Sequence, residues 1–166
     1  MYSVGDVLVY GVHGLCRIEN VEQRRVDRNT VSYFVLVPIG NDRMQFYVPV
    51  HNEAALSKLR PPITVEQAEA VFRSPLLYEN CWIDQENQRK LRFKELLSGN
   101  NFAQMVQMVH TLRCHRQQQL EQGRKFHLCD ENFLRDAQKI LENELSFVLN
   151  IPATEVESYI RCHYFQ

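Results

Sequence analysis

The chain has 166 residues, 45% of them hydrophobic, and a formal net charge of −1 at pH 7. That length fits one ordinary domain or two small ones, and the apolar fraction is enough to build real cores. A charge this close to zero excludes a generally cationic nucleic-acid binder, so any DNA contact must use a local basic surface or be strengthened by a partner that already holds the DNA.

Residues 2 to 60 read as short strands. Val7-Leu8-Val9-Tyr10 is a β-rich run between turns at Val4-Gly5-Asp6 and at His13-Gly14, and Leu15-Cys16-Arg17-Ile18 with Val21 resumes the extended pattern. The polar residues from Gln23 to Thr30 read as a hairpin loop, with Asp27 and Asn29 as turn formers. Val31 to Val37 is the strongest strand, closed by Pro38 and turned by Gly40-Asn41-Asp42. Met44 to Val50 is a further strand whose late Pro49 suggests an edge or an end. Several short strands with no helix between them predict a small barrel.

Leu59-Arg60-Pro61-Pro62 marks the boundary, because paired prolines continue neither a ladder nor a helix. The domains are therefore expected at 1–60 and 61–166. Thr64 with Gln67 reads as a capping box for a short helix to Arg73, stopped by Ser74-Pro75. From Trp82 to Gly99 the pattern predicts a helix with Leu91, Phe93, Leu96 and Leu97 as its apolar positions. Gly99 is placed like a C′ glycine of positive φ. Arg89, Lys90, Arg92 and Lys94 spread over its polar sides. Trp82, the only tryptophan, has two readings: a core ring, or a wedge against a base step while nearby cations hold phosphates. Asn100 or Asn101 is placed to cap a long helix from Phe102 to near Gly123, and Asp130 to cap the next. Pro152 fits the first turn of the last. The fold class is thus α+β, a small β-barrel followed by an all-α bundle of about five helices.

Sites of chemistry are sparse. Cys16, Cys81, Cys114, Cys129 and Cys162 are odd in number, widely spaced and without a CxxC pair, as expected of reduced thiols in a cytoplasmic protein. No signal peptide is legible, and no apolar run approaches the roughly 20 residues needed to cross a membrane. His110 and Cys114, at i and i+4, are too few to hold a structural zinc ion. Cys16 beside His13 reads as a small buried hydrophobe near a turn histidine rather than a nucleophile. There is no GxSxG elbow, Walker loop or GxGxxG. The expectation is a non-enzyme with no cofactor, no metal and no small-molecule substrate.

The two halves together resemble one family. Val4-Gly5-Asp6-Val7-Leu8-Val9-Tyr10-Gly11-Val12-His13-Gly14 is similar to the "GD-x-VVY-x-x-HG" opening of the CarD/CdnL/TRCF family. Tyr33-Phe34-Val35-Leu36 and Tyr47-Val48-Pro49-Val50 resemble its later strands. Trp82, Phe93-Lys94-Glu95-Leu96-Leu97-Ser98-Gly99, Asp130, Phe133-Leu134 and Glu144-Leu145 resemble the helical domain of full-length CarD-like regulators.

The resemblance implies a Tudor-like domain that docks on the lobe of the bacterial RNA polymerase β subunit. It also implies a helical domain laid against promoter DNA at the upstream edge of the bubble, with a tryptophan wedged at the junction to modulate open-complex stability. On that basis Trp82, Arg89, Lys90 and Arg92 are the expected DNA contacts, to DNA that the protein alone binds weakly and without a sequence code. Arg24, Phe46, Tyr47, Val48 and Pro49 are the expected polymerase contacts. Asp84 and Glu86 depart from the pattern, standing where relatives can be more basic, and Tyr47 stands where an arginine can occur. The alternative is a protein-only interaction module that docks on polymerase or another partner without functional DNA contact.

Overall fold

The computed structural model describes residues 1–164 and divides into two compact units, Met1–Pro62 and Ile63 onward. In the first unit, β1 (Val7–Tyr10), β2 (Leu15–Val26), β3 (Asn29–Pro38), β4 (Phe46–Pro49) and β5 (Leu59–Arg60) form one antiparallel sheet in the order β4-β3-β2-β1-β5. The sheet is open rather than a closed barrel, and β4 and β5 are its two edges. Leu8, Cys16, Ile18, Phe34, Leu36, Val48 and Leu59 make its core, against which the short helix α1 (Glu53–Leu56) packs Ala55 and Leu56.

Two expectations are corrected here. The segment Gln23–Thr30 is not a loop: β2 runs to Val26, β3 starts at Asn29, and the turn between them is Asp27-Arg28, with Asp27 at φ 56°. Nearly all of this ribbon is solvent-exposed, so its charged side chains oppose strand formation little and the polar run misreads as loop. The strand expected at Met44–Val50 shrinks to Phe46–Pro49.

The second unit holds α2 (Val65–Arg73), α3 (Glu86–Ser98), α4 (Phe102–Glu121), α5 (Leu128–Leu149) and α6 (Ala153–Tyr164), with a 3-10 turn at Pro75–Tyr78. The Thr64/Gln67 capping box forms in full, and Asn101 caps α4 by accepting from the Gln104 N–H. Phe93, Met108, Leu112, Leu134 and Leu145 lie at the centre of the bundle core. Leu91, expected among the apolar positions, is 63% exposed.

The positive φ expected at Gly99 is taken by Asn100 (φ 58°) instead, while Gly99 stays right-handed at φ −71°. Asparagine tolerates the left-handed region, and the constraint on Gly99 is one of space. A Cβ there would stand 2.9 Å from the Glu95 carbonyl oxygen. Gly99→Ala should therefore cost stability, on the order of 1 kcal/mol, read as a lower thermal midpoint with unchanged secondary structure.

Candidate nucleic-acid and protein interfaces

At the sheet edge, the Val50 N–H donates to the Ser32 carbonyl at 2.9 Å, and Val48 and Phe46 continue the register opposite Phe34 and Leu36. In an antiparallel ladder the hydrogen-bonded pairs alternate. Residues 46, 48 and 50 thus turn their backbone groups to β3, whereas Tyr47 and Pro49 turn theirs outward. Proline at an outward position is the arrangement an edge strand tolerates, since no ladder bond is lost. The outer edge offers the Tyr47 N–H and carbonyl, while the Pro49 carbonyl accepts from the Asn52 N–H at 3.4 Å.

Side chains follow the same alternation. Val48, expected among the polymerase contacts, has its side chain buried in the core, so only the strand that carries it reaches the surface. Phe46 packs with Tyr10 and His13, its ring centroid 4.1 Å from that of His13. Burial lowers the His13 pKa. Arg24 and Tyr47, paired only by expectation in the sequence, meet directly, with the Arg24 guanidinium carbon 3.6 Å from the Tyr47 ring centroid. Cys16 is fully buried, and burial pushes its thiol pKa up to about 11, as suits an inert core thiol rather than a nucleophile.

The second site is built around Trp82, which lies before α3 rather than within it, in the irregular stretch between Tyr78 and Glu86. That stretch is pinned by side chains. The Cys81 N–H donates to Thr111 Oγ1 (3.2 Å), the Trp82 N–H to Asn80 Oδ1 (2.9 Å) and the indole Nε1–H to Asp84 Oδ1 (3.2 Å). The ring is half-buried, so it is neither the core residue nor the fully exposed wedge of the two sequence readings. The His115 imidazole stacks on it at 3.5 Å, and the Arg89 guanidinium carbon lies 4.1 Å from its centroid. One face has no room for both groups at those separations, so the indole is held between them.

Arg89 requires the largest correction. Expected as a surface cation on DNA phosphate, it is 5% exposed. Its Nε and Nη2 donate to the two carboxylate oxygens of Asp130, both at 3.0 Å, and its Nη1 donates to the Ile83 (2.8 Å) and Asp84 (3.1 Å) carbonyls. A planar guanidinium matches a carboxylate in this bidentate way and still has donors left for the backbone. Asp130 is correspondingly buried. It is not the cap of α5, a position held by His127.

The other α3 cations have acidic neighbours. Lys90 bonds Glu86, which holds the Glu86 carboxyl below its ordinary range and raises Lys90, and Arg92 lies 3.5 Å from Glu95. Sequence reasoning passed over Arg124 and Lys125, exposed in the α4–α5 loop beside Phe126, whose ring is 6.2 Å from that of His115. Their signal was a basic pair in a loop, with nothing local to tie it to Trp82. His110 Nε2 and Cys114 Sγ stand 3.6 Å apart, and among the described residues no three His, Cys, Asp or Glu side chains are grouped to hold a metal. No helix among them is long and apolar enough to cross a membrane.

The first unit is thus a small five-stranded antiparallel sheet built around the long β2–β3 ribbon, a Tudor-like domain, and a helical unit follows it in the chain. Residues 2–60, a little over a third of the chain, match the family model of the CarD-like/TRCF RID domain, so the first unit is a RID-like domain. Comparison with curated proteins found no match.

Proposed function

We propose that the protein is a cytoplasmic, non-enzymatic bacterial transcription regulator that makes two contacts during initiation. The RID domain binds the RNA polymerase β subunit, and the helical unit meets promoter DNA at the upstream edge of the bubble and changes the stability of the open complex. The observation that carries the first contact is the free β4 edge in a domain matched to the RID family. Strand addition at such an edge draws affinity from backbone pairing, and the Arg24–Tyr47 pair adds side-chain contacts beside it.

The edge geometry gives a sharp test. Tyr47→Pro removes an outward N–H that β3 does not use, so the domain should keep its fold while retention of β in a pull-down is lost. Tyr47→Ala, which keeps the N–H, should weaken retention only partly. Full retention by the proline variant would contradict pairing at this edge.

For the second contact, the support is the half-buried Trp82 of the helical unit, with Lys90 and Arg92 on α3 and Arg124 and Lys125 in the α4–α5 loop. Arg89 acts indirectly, by holding the Trp82–Asp84 stretch from below. The acids beside Lys90 and Arg92 and the net charge of −1 oppose tight phosphate binding. The free protein should therefore bind duplex DNA weakly and with a shallow salt dependence, and gain its DNA contact when polymerase raises the local concentration. Titration of a labelled duplex at several salt concentrations checks this. Tight, sequence-specific binding by the protein alone would contradict the tethered mechanism.

A further inference from the structure

Beside Trp82 lies a cleft of about 430 Å³, within the size range of small-ligand pockets. Its aromatic lining comes from the Tyr78/His110 pair, which meet edge to face at 5.4 Å, and from the Trp82/His115 stack. Hydrogen-bonding groups complete it: Asn80, Asp84 and Gln118. Burial lowers the pKa of both histidines, with Arg113 adding to the effect at His110. Near neutral pH these rings are uncharged platforms rather than phosphate ligands.

We propose that this cleft receives an unpaired nucleobase carrying an exocyclic amino group. The inference rests on the reading of the helical unit as a junction-binding surface and supplies what that reading lacks. An indole held between His115 and Arg89 cannot slide into a base step without giving up both partners. A cleft lined by four aromatic rings lets the base come to the protein instead, leaving the Trp82 stack intact. Extruded and single-stranded bases are read in this manner, by aromatic stacking together with hydrogen bonds to the base edge.

The polar lining selects among bases. Asp84 accepts the Trp82 Nε1–H through one oxygen, and a carboxylate has lone pairs for further donors. Cytosine, adenine and guanine present an exocyclic amino donor to such a group, whereas the one donor of an unpaired thymine, its ring N3–H, is flanked by the O2 and O4 carbonyl oxygens, which face the same carboxylate unfavourably. Acidic lining next to a phosphodiester chain is unfavourable for backbone binding but suited to an amino edge. This gives the departure at Asp84 a role that a purely phosphate-binding surface would not.

An NMR titration of the full chain tests the proposal, with a short oligo-dC single strand as probe, oligo-dT as comparator and Cys114→Phe as a filled-cleft variant. Cys114 lines the cleft from an exposed position on α4, so a phenylalanine there occupies the space without entering the bundle core. The expected result is saturable shifts of the Trp82 Nε1–H and Tyr78 ring signals with oligo-dC. Oligo-dT should bind several-fold more weakly, and Cys114→Phe should lose the shifts while melting like the parent. Absence of shifts, equal binding of oligo-dT, or an undiminished response in the filled variant would each overturn the cleft. The effect of the unfilled protein on open-complex lifetime is measured in parallel. A lifetime effect that requires Trp82 but no cleft response leaves the junction reading standing and removes only this inference. No lifetime effect removes the junction reading itself.

Discussion

Asp130→Ala should lower the thermal midpoint of the helical unit by more than about 10 °C. The substitution leaves Arg89 charged, 5% exposed, and without the acceptor of two of its four hydrogen bonds. Removing one partner of a buried ion pair typically costs about 3–5 kcal/mol, because the remaining charge is neither solvated nor paired. A domain near this size loses about 4–8 °C per kcal/mol. Trp82 fluorescence is a direct probe of the change, since the only tryptophan in the chain touches Arg89. Replacing both partners, with Arg89→Met and Asp130→Leu, should recover much of the loss, as apolar isosteres of buried pairs often do. It should not restore the Trp82 environment, because methionine offers no donors to the Ile83 and Asp84 carbonyls. A shift of only a few degrees for Asp130→Ala would show that Arg89 finds water in place of its carboxylate.

The second large effect is expected at Trp82. Trp82→Ala removes a half-buried ring with a stacking partner, a cation–π partner and a hydrogen bond. Full burial of such a ring is worth about 3–5 kcal/mol on truncation. Half-burial places this one at about 1–3 kcal/mol, leaving the variant folded at ordinary temperature. Its functional effect is separate. A ligand shifts the closed–open equilibrium only by the difference in its affinity for the two states, and a base contact that forms only on melting of the duplex contributes to one of them alone. Contacts of that kind are worth about 1–3 kcal/mol per base. Open-complex lifetime should therefore fall by a few-fold to about a hundredfold, while retention of β is unchanged.

The residues that were legible in the sequence are those whose environment is set locally. Phe93, Leu96 and Leu97 recur at helical spacing and are buried, and Thr64-x-x-Gln67 is a local cap that forms as written. Pro49 in a short strand signalled an edge, and β4 is one. What could not be read depends on partners distant in the chain. Arg89 sits in a run of cations and is indistinguishable there from Arg92. Its burial is decided by Asp130, 41 residues away, whose own local signature is that of a helix cap. Trp82 was open between two readings because its environment is made by His115 and Arg89 from two different helices. The openness of the sheet is not legible, because the alternation of apolar residues along the strands carries no information on whether the β4 and β5 edges meet.

The most direct test of the bridging account is the dissociation half-life of polymerase–promoter open complexes, measured with saturating wild-type protein, with Trp82→Ala and with no protein. The account predicts that the wild type changes the half-life, that Trp82→Ala returns it most of the way to the protein-free value, and that both proteins bind β equally. An equal effect of wild type and Trp82→Ala at matched β occupancy would contradict it, assigning the whole activity to the RID domain and leaving the helical unit without a DNA contact.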